Sequence, residues 1–114
     1  MPYLLINTNQ QLDKTQEMAL LGQCSQAIAA MLGKPERYVM ASIESGISML
    51  FGGDGSPCAY LELKSLGLPE EKSAEFSQAL CTLLGEALDI PTDRIYIEFS
   101  SPARHLWGWD NATF

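Results

Sequence analysis

Apolar and polar positions follow two periods along this chain, and the periods occur in the same order in each half. The first half opens on the apolar run Tyr3-Leu4-Leu5-Ile6 and turns polar from Asn7 to Gln11. Apolar residues then recur at Met18, Leu21, Ile28, Met31 and Leu32, three, four or seven apart, which predicts a helix with one apolar face. Gly33 is suited to the left-handed conformation that follows a last helical turn, and Pro35 blocks continuation. Tyr38 to Ile43 reads as a strand. In the second half Cys58 to Lys64 alternates, with Ala59, Leu61 and Leu63 on one face and Tyr60, Glu62 and Lys64 on the other. Pro69, Glu70 and Glu71 are a favourable helix opening, because proline fits the first position and carboxylates suit the positive end. Phe76, Leu80, Leu83, Leu84, Ala87 and Leu88 form the second helical stripe, Pro91 stops it, and Ile95 to Ser100 alternates again.

The strand-to-strand separations, Leu4 to Val39 and Leu61 to Ile95, are nearly equal. Two β-α-β repeats, about residues 1–57 and 58–114, therefore predict a single α/β (α+β) domain over 1–114, with a four-stranded sheet and both helices on one face. Ile95, Ile97 and Phe99 should face the helices, and Tyr96 and Glu98 should look away. A sheet face without a helical cover, in so small a protein, predicts burial against another subunit. The tail carries Trp107, Trp109 and Phe114, and large apolar residues near a chain end predict docking, here on a neighbouring subunit.

Composition narrows the classes. The formal net charge is −7, with only seven Lys and Arg and no two of them adjacent, which argues against a nucleic-acid surface. There is no basic-then-apolar leader pattern and no apolar run of membrane length, so a cytoplasmic protein without membrane insertion is expected. Cys24, Cys58 and Cys81 are odd in number and form no CxxC, and His105 is the only histidine. Neither a disulfide framework nor a zinc site fits, and no metal or cofactor is expected. Any Ser-His or Cys-His catalytic system would have to be built around residue 105. Gly52-Gly53-Asp54-Gly55 lacks the lysine and helix opening of a phosphate loop and reads as a flexible turn.

Pro2 is the most informative residue. Removal of Met1 would expose a secondary amine, and free α-amino groups titrate at roughly 8. An apolar pocket and a nearby cation both disfavour the protonated form, leaving a base able to take a proton from the carbon beside a carbonyl. By itself, Met-Pro is commonly no more than the start of a strand.

The opening Met1-Pro2-Tyr3-Leu4-Leu5-Ile6-Asn7-Thr8-Asn9 resembles that of the macrophage migration inhibitory factor family of the tautomerase superfamily, which includes D-dopachrome tautomerase. Gly33-Lys34-Pro35, Phe51-Gly52-Gly53, Pro57-Cys58-Ala59, Ser65-Leu66-Gly67, Asp93 to Ile97 and Gly108 to Phe114 recur in family order, over nearly the whole chain. The resemblance implies the tautomerase fold, a homotrimer with active sites between subunits, and Pro2 as the base. It implies that Lys34 binds a substrate carboxylate or enolate oxygen, and that Ser65 and Leu66 line the pocket. Tyr38 would be a rim aromatic, and Tyr96 a phenol donated by the adjacent subunit.

Several positions depart from the family pattern. Glu98 stands where relatives place an asparagine near the pocket, and a negative charge there would repel an anionic substrate and favour a protonated Pro2. Trp107 replaces a smaller aliphatic residue and would narrow the site or stack on an aromatic substrate. Leu61 breaks the family CxxC, so the thiol-oxidoreductase activity proposed for that motif is not expected. Leu12 and Gly46 fall near charged positions assigned to chemokine-receptor recognition, and Lys64 replaces a histidine. The activity implied is keto–enol tautomerisation of a small α-keto acid such as phenylpyruvate, or of a dopachrome-like compound. The alternative is a cytokine-like binding protein with vestigial activity, released without a signal peptide and recognised by a cell-surface receptor. A decarboxylase or dehalogenase would call for arginines near the proline, for which Arg37, Arg94 and Arg104 are the candidates.

Overall fold

A computed structural model describes residues 1–114. Strands β1 (Pro2–Thr8), β2 (Met40–Glu44), β3 (Ala59–Ser65) and β4 (Ile95–Ser100) form one mixed sheet in the order β2-β1-β3-β4. The pairs β1·β2 and β3·β4 are parallel, and the two halves meet antiparallel at β1·β3, with Pro2 opposite Ser65 and Thr8 opposite Ala59. Helix α1 (Lys14–Leu32) connects the first parallel pair and α2 (Ser73–Leu88) the second. Parallel neighbours need such a crossover, which is why the repeated pattern predicted this topology.

Both helices bury their stripes in one core, so both lie on one sheet face. Leu20, Cys24 and Ile28 of α1 and Phe76, Leu80, Leu84 and Leu88 of α2 close over Leu4, Ile6, Leu61 and Leu63. Each fully buried leucine contributes about 1.5–3 kcal/mol. Along β3 and β4 the expected alternation holds: Ala59, Leu61, Leu63 and Ile95 are buried, while Tyr96 and Glu98 are exposed.

The structure corrects four local readings. Of the stripe expected on α1, Ile28 is buried and Leu21, Met31 and Leu32 pack partly buried against the core, but Met18 is 66% exposed, and Glu17, Leu20 and Cys24 are buried as well. The phase is set by a capping box: the Gln16 amide donates to the Asp13 carboxylate (2.8 Å) and the Asp13 amide to the Gln16 side chain (2.9 Å). Glu17 tolerates burial because Ser45 Oγ donates to it at 2.9 Å and the Lys14 ammonium lies 3.4 Å away. Second, Tyr38 lies in a 3₁₀ turn, Glu36–Tyr38, ahead of β2. Third, the Pro69 segment opens a 3₁₀ turn, Glu70–Lys72, and α2 starts only at Ser73; its end is made by Asp89 in the left-handed conformation, φ 55°, two residues before Pro91. Fourth, the glycine-rich turn is clamped. Phe51 pairs with Asp54 across Gly52 and Gly53 (φ 63° and 75°), and the Arg94 guanidinium donates to the carbonyls of Pro57, Ser56, Asp54 and Phe51 at 2.9–3.4 Å.

The tail docks within its own chain. Strands β5 (Gly108–Trp109) and β6 (Ala112–Thr113) form a hairpin over Asp110 and Asn111, both at positive φ. Trp109 stacks on Phe114, with centroids 5.8 Å apart, and meets Tyr38 edge-on at 6.2 Å.

Candidate active site

The parity of β1 places Pro2 on the same face as Leu4 and Ile6, at the end of the strand where that face runs out. Pro2 is buried and opens a cavity of about 380 Å³ whose other walls include Tyr38, Val39, Met40, Trp107 and Trp109. The 3₁₀ turn after α1 supplies Tyr38, and the segment ahead of the tail hairpin supplies Trp107. The cavity is thus a joint between the two chain ends, with largely apolar and aromatic walls.

Met1 is present in this structure, so the Pro2 nitrogen is an amide here and the free amine belongs to Met1. That amine stands in, one residue further out, for the secondary amine Pro2 would carry after Met1 is removed. Desolvation, then the Lys34 ammonium, then the Arg104 guanidinium hold it below the usual α-amino value of 8.0. The left-handed Gly33, φ 61°, turns the chain so that Lys34 leaves α1 towards the chain start.

Ser65 and Leu66 lie behind Pro2. Ser65 is its register partner on β3, and both residues are buried, with the Ser65 hydroxyl donating to the Leu66 carbonyl at 3.2 Å. Pro2, Lys34, Tyr38, Ser65, Leu66 and Trp107 are therefore at one end of the sheet. Tyr96 and Glu98 are not. Tyr96 is level with Tyr60 and Asn7, five residues along from Pro2, or about 17 Å at roughly 3.3 Å per residue. It lies on the helix-free face, 65% exposed, packed on Phe51 at 4.6 Å. Glu98 is on that face too, where its carboxylate and that of Glu62 each lie 3.0 Å from the Tyr60 hydroxyl. The hydrogen bond to Glu98, desolvation and then the bond to Glu62 push the Tyr60 phenol up to about 12. Within one chain the Glu98 charge is engaged there, on the helix-free face.

Of the three arginines weighed from the sequence, Arg94 is consumed by the loop clamp, whereas Arg37 lines the cavity and Arg104 acts on the amine. Trp109, on the cavity wall, is a site residue that the sequence reading does not include. No local pattern could have marked Arg104, which comes from the far end of the chain. The thiols are free, and burial pushes that of Cys24 up to about 12, as suits a core side chain.

Comparison with known proteins agrees with this fold. The model of the macrophage migration inhibitory factor (MIF) family matches residues 1–114. The chain is 37% identical to a macrophage migration inhibitory factor homolog of Brugia malayi, over 100% of this chain and 99% of the other. The crystal structure of a homologue from Prochlorococcus marinus superposes with a TM-score of 0.92 at 38% identity, covering 98% of each chain. The factor from Trichinella spiralis superposes with a TM-score of 0.90 at 30% identity, over 98% of this chain and 99% of that one. The repeated β-α-β order, the proline at the cavity and these matches together place the chain in the macrophage migration inhibitory factor family of the tautomerase superfamily.

Proposed function

We propose that this protein is a keto–enol tautomerase of small α-keto acids, phenylpyruvate-like or dopachrome-like, working through the Pro2 amine after Met1 is removed. The observation that carries the reading is the amine environment: a chain start at an aromatic cavity, desolvated and flanked by Lys34 and Arg104, which together lower its proton affinity. A neutral secondary amine there takes a proton from the carbon beside the keto group. The C–H pair becomes the new C=C bond, and the carbonyl pair moves to oxygen, where Lys34 stabilises the developing charge. Protonation of that oxygen gives the enol, and the reverse sequence returns the ketone. Ser65 and Leu66 form the floor behind Pro2, and Tyr38 and Trp107 hold the substrate's apolar part.

The assembly is proposed as a homotrimer. Its support is the placement of Tyr96, exposed and far from the Pro2 of its own chain, so that a second subunit would have to bring it to a cavity.

The test is an enol–keto assay with phenylpyruvate on protein whose N-terminus has been checked by mass spectrometry. Protein beginning at Pro2 should turn over, and protein retaining Met1 should lose activity by about 10²-fold or more, the range for removing a general base. Equal rates in the two forms would refute the mechanism. Negligible turnover of the processed form, with saturable binding to a receptor ectodomain, would favour the binding-protein reading. A monodisperse monomer in sedimentation would remove the shared site.

A further inference from the structure

The cations of this protein are distributed unevenly. Acids outnumber Lys and Arg by fourteen to seven, so a carboxylate partner is available to almost any cation. Lys14 and Lys64 have taken one, at 3.4 Å from Glu17 and Glu62, and Arg94 is spent on four backbone carbonyls. Lys34, Arg37, Lys72 and Arg104 have no carboxylate within 4.0 Å; Lys72 lies apart in the 3₁₀ turn Glu70–Lys72, whereas Arg37 lines the Pro2 cavity and Lys34 and Arg104 act on the Met1 amine that borders it. Lys34 follows α1, Arg37 lies on the cavity wall with its guanidinium 4.7 Å from the Tyr38 ring centre, and Arg104 arrives from the 3₁₀ turn Arg104–Leu106. Like charges brought together without counter-ions repel, so this grouping costs stability unless an anion comes to it.

One carboxylate on an α-keto acid needs one cation beside the reacting carbon, and Lys34 supplies it. Two arginines then remain, one on the wall and one beside the chain start. A guanidinium is a planar fork suited to oxyanions, and the Tyr38 ring holds that of Arg37 at the cavity wall. We infer that the substrate is a dianion: an α-keto acid whose far end carries a second carboxylate or similar oxyanion, received by Arg37 and Arg104 across the aromatic cavity. The inference rests on the proposed tautomerase reading for its first carboxylate, and adds a specificity that reading does not contain. Trp107 and Tyr38 contact the middle of such a molecule, and the arginines read its end.

The experiment compares two compounds that differ by one charge, phenylpyruvate and 4-carboxyphenylpyruvate, on processed wild-type protein, Arg37→Gln and Arg104→Gln. In wild-type protein the ratio of kcat/KM for the carboxylated compound to that for phenylpyruvate should exceed about 10, and should fall as salt is raised. Each variant should lower that ratio severalfold, and the double variant should bring it near 1. A wild-type ratio at or below 1, or a ratio the variants do not move, overturns the inference while leaving tautomerase activity on phenylpyruvate standing. If neither compound turns over, the tautomerase reading fails, and equilibrium binding of the same two compounds decides the dianion site: tighter binding of the carboxylated one, lost in the double variant, upholds it, and equal affinities reject it. Circular dichroism and thermal melts of the variants separate misfolding from lost recognition.

Discussion

The two β-α-β halves share one backbone plan and put it to different uses. After α1 the chain runs through left-handed Gly33, Lys34, Pro35 and a 3₁₀ turn ending at Tyr38. After α2 it runs through left-handed Asp89, Ile90, Pro91 and a 3₁₀ turn ending at Arg94. The correspondence continues into two tight hairpins: Phe51 bridges to Asp54 across two residues at positive φ, and Trp109 pairs with Ala112 across two more. Each hairpin presents an aromatic ring to a tyrosine, Phe51 to Tyr96 and Trp109 to Tyr38. Each half also has a cavity at the start of its first strand, one at Met1-Pro2 and one at Cys58-Ala59. The first gathers cations around an amine. The second, lined by Met49, Leu50, Phe51 and Tyr96, has its nearby arginine tied into the loop. The plan supplies a strand start beside a helix exit, and side chains decide whether chemistry occurs there.

The sharpest way to break that contrast is to change the two strand starts. Pro2→Gly should reduce phenylpyruvate tautomerisation by about 10²–10⁴-fold, and Cys58→Ala, at the corresponding start, should leave it within about twofold in the same assay. Exchanging the residues after the two helix caps is the next largest test. Lys34→Ile should lower kcat/KM by about 10²-fold through lost oxyanion stabilisation, with little change in melting temperature. Ile90→Lys instead places an ammonium where Ile90 is 4% exposed, and should destabilise by several kcal/mol in urea titration.

The pH profile sharpens the same point. The free base is the active form, so kcat/KM should rise with pH to a plateau, through a midpoint lower than that of an unburied proline amine, because the desolvation, Lys34 and Arg104 that lower the Met1 amine lie one residue from Pro2. Removing either cation relieves that effect, and the midpoint should move up in Lys34→Ile and in Arg104→Gln. A midpoint unmoved in both would separate the cations from the base.

Smaller effects concern the arginines and the caps. Arg94→Ala should cost about 2–3 kcal/mol by chemical denaturation, since it leaves carbonyls of the clamped loop without their charged donor. Arg37→Ala, at an exposed side chain, should stay within about 0.5 kcal/mol. At the helix ends, Gly33→Ala should destabilise by about 1 kcal/mol and Asp89→Gly should stabilise by up to a similar amount. Both residues are left-handed, and a Cβ at Gly33 would meet no atom within 4 Å, so backbone conformation alone sets that cost.

The sequence by itself determined the repeated strand–helix–strand order, the sheet's two faces, the left-handed exit at Gly33 and the candidacy of Pro2. Each of these follows from interactions between residues close in the chain: a side-chain period, a proline's missing donor, a glycine's freedom. On α1 the expected stripe fails at Met18 alone: Met18 is as apolar as Leu20, and the Asp13–Gln16 cap together with the bonds to Glu17 turns Glu17 inward in its place. Only the tertiary structure moved Glu98 away from Pro2, tied Arg94 into a loop and brought Arg104 to the opposite chain end. Those outcomes depend on strand register and on which partner each long cationic side chain finds across the fold. No local period along the chain encodes either.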